Sequence, residues 1–279
     1  MNKINEELLP APLREKWRKL AQALASKNSL LVACSGGVDS GFLLYAAAAA
    51  LNGRMLAVTA AHPLMKKADI EAACETAGAL GISWQALPLP LLQKPEVAQN
   101  SPERCYHCKK MVFSALLKLA KENGLACVAD GKNADDEQER RPGNRAALEL
   151  GVWQPLFEAG LTKEDIRQLA RAAGLKSWNR PASPCLATRF PYNTALTPED
   201  LSAVEKGEEI LNEAGFATVR LRHHGHICRI EIPKEELPLL AEKTDVLTPL
   251  LRELGFTYIC ADLGGFKSGS MDSAPVKTR

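Results

Sequence analysis

No stretch of about 18 apolar residues occurs along the chain, so no membrane-spanning helix is expected. The opening segment, Met1 to Lys19, is charged and lacks the apolar core of a secretory leader, and a cytoplasmic location is the expectation. Charge of one sign is also scarce. Thirty-five Lys and Arg against 33 Asp and Glu leave a formal net charge of +2, too weak a global field to argue for nucleic acid. Internal repeats and low-complexity tracts are missing. What remains is 279 residues of ordinary globular composition, 46% hydrophobic and 24% charged. A folded chain of that length buries roughly 75% of the surface its unfolded form exposes. Its core needs neither disulfides nor metals. The eight cysteines are therefore expected as thiols, and any cluster of them points to a metal or to catalysis.

Hydrophobic periodicity divides the chain in two. Residues 13–27 read as an amphipathic helix, and Leu30-Leu31-Val32-Ala33-Cys34 as a buried strand. A helix follows from Gly41 to Leu51, a strand over Met55 to Ala60, and a helix over 65–80 that stops at Gly81. Ile82 to Leu87 is a third strand, Lys109 to Glu122 a helix, and Ala126 to Ala129 a fourth strand. This alternation predicts an α/β fold, a doubly wound parallel sheet covered on both faces. Ala134 to Gly143 is polar and reads as a mobile loop, with Arg141-Pro142-Gly143 as a bend before a helix holding Arg145 and Glu149. After Tyr192 the pattern changes. A helix over Pro198 to Ala214, strands over Thr218 to His223 and His226 to Pro233, one helix from Lys234 to Leu254 and a strand over Tyr258 to Asp262 suggest a smaller α+β domain with an antiparallel sheet. The expected division is 1–190 and 191–279.

The segment Ser35-Gly36-Gly37-Val38-Asp39-Ser40 lies between a buried strand and a helix. Its glycines permit tight turning, and its N–H groups with the helix N-terminus form an anion site. The two serines add hydroxyl donors. Asp39 among phosphates makes sense only if it holds a cation or orients a group. The motif is neither GxGxxG nor GxxxxGK[ST], and it matches the PP-loop of ATP pyrophosphatases, which cleave between the α and β phosphates. A second loop, Asp130-Gly131-Lys132-Asn133-Ala134-Asp135-Asp136, follows the fourth strand and is expected beside it, because ligands gather at the C-terminal ends of such strands. The expected ATP set is Ala33, Ser35, Gly36, Gly37, Asp39, Ser40, Thr59, Gly131 and Asn133.

Cys105-Tyr106-His107-Cys108 is a CxxC at a helix start, where the dipole and neighbouring cations lower thiol pKa and two sulfurs can converge on one ion. Cys185 sits in a loop stiffened by Pro181, Pro184 and Pro191, with Arg180 and Arg189 able to favour a thiolate. Cys34, Cys74, Cys127, Cys228 and Cys260 read as packing residues. Val219 to Ile232 can be tested as a hairpin with His224-Gly225 at the turn. Arg220 then faces Arg229, and Arg222 faces Ile227. One face is apolar, while the other carries three arginines with Glu231 and suits a phosphate-bearing acceptor. His223, His224 and His226 suggest a metal site, although turn histidines point different ways.

Together SGGVDS, ERCYHCKK, DGKNADD, RPGNRAALELG, RPASPCLATRFPY, VRLRHHG and the closing DLGGFKSGSMD resemble the LarE family, from about Leu13 to Asp272. SGGVDS alone marks only the PP-loop superfamily; SPCLATR and VRLRHHG narrow it. The resemblance implies sulfur transfer in nickel-pincer cofactor synthesis, as used in lactate racemase maturation. Its acceptor is pyridinium-3,5-biscarboxylic acid mononucleotide. ATP, with magnesium, adenylylates a carboxylate, and a sulfur nucleophile then displaces AMP to leave a thiocarboxylate. Some members sacrifice the cysteine equivalent to Cys185. Others hold a [4Fe-4S] cluster on three cysteines, here Cys105, Cys108 and Cys185, with one iron open for a transferable sulfide. The resemblance further implies Cys185, Asp39 and Arg189 as catalytic residues, with Arg189 near the acceptor carboxylate. Arg220 and Arg222 would bind the acceptor phosphate, with Glu208 and Glu231 near the acceptor or a metal. A homo-oligomer, a trimer of dimers, and a downstream nickel-insertion protein are its implied partners; neither nucleic acid nor membrane is. The competing expectations are a PP-loop amide synthetase, for which Cys185 has no task, a tRNA thiolation enzyme, which lacks an evident basic RNA-binding domain, and a nucleotide sensor with structural zinc.

Overall fold

A computed structural model describes residues 3–51, 54–137, 142–267 and 269–271. The bend expected at Arg141 and the closing Asp272 lie outside the described residues. The chain packs as two units, Met1–Leu91 with Cys105–Ser183, and Leu92–Arg104 with Pro184–Arg279. The boundary expected after 190 thus lies after Ser183, and a segment from the first half joins the second unit. Hydrogen bonds explain the transfer. The Asn100 side-chain amide donates to the carbonyls of Phe190 and Pro191 at 3.2 and 2.8 Å. Leu196 N–H donates to Ala98 O at 2.7 Å.

In chain order the elements are α1 (Ala11–Ala25), β1 (Ser29–Ala33), α2 (Val38–Ala50), β2 (Arg54–Ala61), α3 (Lys67–Ala79) and β3 (Trp84–Pro88), then the short α4 (Pro95–Ala98) of the second unit. The first unit continues with α5 (Arg104–Glu122, entering from the second unit), β4 (Cys127–Ala129), α6 (Pro142–Glu149), α7 (Pro155–Glu158) and α8 (Lys163–Ala172). Its sheet has the order β3-β2-β1-β4, all parallel. The chain moves one way from β1 through β2 to β3 and returns to β4 on the other side. That reversal opens a crevice beyond the C-terminal ends of β1 and β4, where ligands bind in such sheets. Leu30, Leu31 and Val32 of β1 are fully enclosed, as a strand covered on both faces requires. α2 is apolar nearly all round and is correspondingly buried, with Phe42, Leu43, Leu44, Ala46 and Ala47 at 0% exposure. Trp17 of α1 meets Phe42 and Tyr45 at ring separations of 6.0 and 6.4 Å. Each large side chain so buried stabilises the fold by about 1.5–3 kcal/mol. This packing holds the residues before and after the SGGVDS turn.

The second unit contains α9 (Pro198–Glu213), β5 (Arg220–His224), β6 (Ile227–Glu231), α10 (Leu237–Glu242), α11 (Thr244–Glu253) and β7 (Tyr258–Ala261). Its sheet is mixed rather than antiparallel: β5 and β6 are antiparallel, but β7 runs parallel to β6. The two helices between β6 and β7 form a crossover, which returns the chain in the same direction. The single helix expected from Lys234 to Leu254 is broken. Lys243 departs from helical geometry at φ −94°, ψ 6°, its ammonium bonds Ala214 O at 2.6 Å, and the Thr244 hydroxyl takes the Ala241 carbonyl at 2.6 Å. Pro238 sits in the first turn of α10, where a missing N–H is tolerated. No helix among the described residues is long and apolar enough to cross a membrane.

Candidate active site

The turn after β1 is built by steric exclusion. Gly36 adopts φ +78°, and a Cβ there would collide with the Asp69 carbonyl oxygen. No other residue fits that conformation and that space. Ser35 N–H donates to Ser40 Oγ at 3.1 Å, the two serine hydroxyls lie 3.1 Å apart, and Ser40 Oγ donates to Gly37 O at 3.2 Å. These bonds close the loop on itself. α2 begins at Val38 with Gly37 as its N-cap and no side-chain cap bond. The first N–H groups of α2 therefore point from the helix end toward the crevice, with the positive end of the helix dipole behind them. Ala33 ends β1 immediately before this turn.

The second loop lies where the sequence places it. A Cβ on Gly131 would stand 3.0 Å from Ser40 N and 3.1 Å from its Cα, so only glycine lets this loop lie against the start of α2. Asn133 is buried and shapes the loop: its Oδ1 accepts the Asp135 and Asp136 N–H groups at 2.9 and 3.3 Å. Thr59, expected among the nucleotide contacts, is instead wholly enclosed, and its hydroxyl accepts the Trp84 indole N–H at 2.9 Å. It lies on the interior of β2, with neighbouring strands on both sides.

Asp39 has a partner that the sequence reading missed. Lys163, the first residue of α8, places its ammonium 2.5 Å from Asp39 Oδ2, while Asp39 Oδ1 is buried without a partner. Burial raises the Asp39 pKa, Lys163 opposes that, and Asp136 adds to it. α8 is held in place by a capping box between Thr162 and Asp165, and Lys163 N–H bonds Asp135 Oδ2 at 2.8 Å. The run Thr162-Lys163-Glu164-Asp165 carried that helix-start signal. What it could not give is the distance from residue 163 to residue 39.

Cys105 and Cys108 stand one turn apart at the start of α5, exposed and half-buried respectively. No disulfide links any of the eight cysteines. Among the described residues no three His, Cys, Asp or Glu side chains gather as a metal site. Tyr106 between the thiols donates to Glu149 at 2.7 Å and lies under the Arg145 guanidinium at 3.9 Å, which accounts for those two charges of α6. Cys74 and Cys260 are exposed, contrary to the packing role expected of them, because α3 turns Cys74 outward and β7 is an edge strand. Burial pushes the thiols of Cys34 and Cys228 up to about 12, which leaves both inert. Arg180, expected to favour a thiolate, is bound to Asp69 at 3.0 Å.

In the second unit the loop bearing Cys185 is clamped by Arg189. This guanidinium is fully buried; it grips Glu208 through Nε and Nη2 at 2.9 and 3.0 Å, and Nη1 donates to the carbonyls of Pro184 and Cys185 and to Thr188 Oγ1. Every nitrogen of this guanidinium, expected near an acceptor carboxylate, has a partner within the protein. Glu208 and Glu231, expected near the acceptor or a metal, are both paired with arginines. Glu208 also accepts Leu221 N–H at 3.1 Å, and Glu231 accepts Arg222 at 2.7 Å and Arg229 at 3.1 Å. Buried carboxylates need such partners.

The hairpin register differs from the expected one by two residues. Gly225 and His226 form the turn, Arg220 pairs with Glu231 and Arg222 with Arg229. Gly225 holds φ +68° at the first central position, where a type II′ turn requires glycine. A two-residue shift keeps every side chain on its expected face. The arginines are not bare: Arg229 also bonds Asp262 at 3.0 Å, and Arg222 donates to Thr188 O at 3.0 Å. Arg220 stacks over Phe266 at 5.4 Å. Burial lowers its pKa, with Arg189 and Arg222 acting in the same direction and Glu208 and Glu231 opposing them. The histidines diverge. His223 packs against Phe190 and Phe256 and faces Asp200 at 3.3 Å, whereas His224 and His226 are exposed.

A family model for the PP-loop domain matches residues 11–141. The chain is 37% identical to pyridinium-3,5-bisthiocarboxylic acid mononucleotide synthase of Lactiplantibacillus plantarum, over 96% of this chain and 98% of that protein. It is 34% identical to an uncharacterized protein of Synechocystis, over 95% of this chain and 100% of that one, and 29% identical to one of Methanocaldococcus jannaschii, over 91% and 98%. With the SGGVDS turn at the reversal of a parallel sheet and this likeness along almost the whole length, the chain belongs to the LarE family of PP-loop, ATP-dependent sulfur transferases.

Proposed function

We propose that this chain converts carboxylates of pyridinium-3,5-biscarboxylic acid mononucleotide into thiocarboxylates in nickel-pincer cofactor synthesis. The observation that carries the reading is the Ser35–Ser40 turn closed against Gly131 with Asp39 and Lys163 at its edge. The likeness to the Lactiplantibacillus synthase supports the acceptor. A carboxylate oxygen attacks the α-phosphorus of ATP, the bond to the β-phosphate oxygen breaks, and pyrophosphate leaves. Sulfur then attacks the acyl carbon and AMP departs with the electron pair. The N–H groups at the start of α2 receive phosphate oxygens. Lys163 meets charge developing on pyrophosphate. The buried, unpartnered Asp39 Oδ1 fits magnesium, which when bound neutralises phosphate charge. Arg220 is the phosphate ligand of the acceptor, and Arg222, held by Glu231, supports the strand beneath it.

Cys185 is the sulfur-transfer residue in this reading. Cys105 and Cys108, at positions i and i+3 of one helix, share a face; with Cys185 they are the thiols that would hold a [4Fe-4S] cluster. Such a cluster would supply a transferable sulfide. Without it the Cys185 thiolate attacks the acyl carbon to form a thioester, and β-elimination then removes the Cα proton and breaks the Cβ–S bond, leaving thiocarboxylate and dehydroalanine. Assembly as a homo-oligomer and hand-over of product to a nickel-insertion protein belong to the same reading. The test is incubation with ATP, magnesium and the dicarboxylate mononucleotide. AMP, pyrophosphate and thiocarboxylate are expected together; ADP, or amide formation with ammonia, would overturn the reading.

A further inference from the structure

The carboxylate of Asp69 is nearly enclosed, yet its two oxygens serve a distant part of the first unit. Oδ1 accepts Arg180 Nη2 at 3.0 Å, and Oδ2 accepts the Ser183 hydroxyl at 2.7 Å. Arg180 Nη2 also donates to Ala68 O at 2.9 Å. Thus the stretch Arg180 to Ser183 is tied by three bonds to the start of α3. The other end of Asp69 faces the nucleotide turn. Its carbonyl oxygen lies so close to Gly36 that no Cβ fits between them. Ser177 Oγ, three residues before Arg180, would lie 3.2 Å from a Cβ on Gly41 of α2, so the chain leading into this stretch is packed along the helix that the turn begins. The chemistry proposed above does not use Asp69.

We propose that Asp69 is a positioning residue that ties the nucleotide turn to the segment leading into Cys185. Ser183 is two residues before Cys185, and the prolines on either side of it, Pro181 and Pro184, stiffen the connection. A shift of the Gly36 main chain on nucleotide binding presses on the Asp69 carbonyl, because close-packed backbone has no slack to absorb it. The Asp69 carboxylate passes the shift to Arg180 and Ser183. Thiol placement then follows nucleotide occupancy, the thiol being drawn away from solvent when nucleotide is bound.

This inference rests on reading Ser35–Ser40 as the nucleotide turn, and its test separates the two. The rate of Cys185 alkylation by iodoacetamide is followed by peptide mass spectrometry, with and without α,β-methylene ATP and magnesium, while calorimetry reports binding of that analogue. In the unaltered protein the analogue slows alkylation about fivefold or more, the low end of ordinary coupling between sites. In Asp69→Ala, and in the milder Ser183→Ala, the analogue still binds but the slowing shrinks to less than about twofold; Asp69→Asn, which keeps one acceptor oxygen, falls between. Slowing that persists undiminished in both alanine variants means direct shielding by nucleotide and overturns the proposal. So does binding with no effect on the unaltered protein. Failure of the analogue to bind overturns instead the reading of the turn.

Discussion

At the scale of single residues, the second unit is governed by arginines buried with carboxylates. Removing one partner of such a pair leaves an uncompensated buried charge, at a cost of about 3–5 kcal/mol. Arg189→Ala should therefore lose about that much stability in urea unfolding, whereas Arg189→Met combined with Glu208→Met should lose less than either single change. A double variant as damaged as the singles would show that the pair does more than neutralise itself. His62 supplies a pH-dependent component in the first unit. Burial lowers its pKa to about 4, with Lys109 acting in the same direction, and its Nδ1 is enclosed without a partner. The unfolded chain, titrating near 6.5, binds the proton more readily than the folded one. This contribution is intact above that pH and is lost as pH falls toward about 4. Urea unfolding across that window should show a decline that His62→Gln flattens.

At the scale of elements, the Ser35–Ser40 turn depends on close approaches between separate pieces of chain. Gly131→Ala inserts a Cβ against Ser40. Overpacking of this kind costs about 1–3 kcal/mol, so ATP affinity should fall about tenfold in calorimetry. α8 brings Lys163 to Asp39 from far along the sequence. Lys163→Ala should slow pyrophosphate release about 100-fold, as expected when a charge-stabilising donor is removed, with a smaller effect on nucleotide affinity. Equal losses in both would assign Lys163 to ground-state binding alone. The helices and strands that carry these groups were largely legible. β1, α2 and the turn between them announce themselves by an apolar run, glycines and a second apolar run. The break at Lys243 was not legible, because it follows from a tertiary bond to Ala214 rather than from a local breaker.

At the scale of the whole molecule, two sulfur sources give different outcomes. Anaerobic reconstitution with iron and sulfide should give a coloured protein whose iron content collapses in Cys105→Ala, Cys108→Ala and Cys185→Ala alike. A protein that stays colourless, with Cys185 found as dehydroalanine by mass spectrometry after one turnover, would establish the sacrificial route.

By itself the sequence determined the parallel α/β class, the glycine turn after β1, the family and the faces of the hairpin. These follow from local chemistry: period-2 alternation survives a register shift of two residues, and glycines mark tight turns wherever they occur. Tertiary structure alone decided which charges find one another. Lys163 with Asp39, Arg189 with Glu208, and Asp69 with Arg180 and Ser183 are pairs far apart in sequence. No propensity or spacing encodes such pairs, because a buried charge takes whichever partner the packing brings within reach.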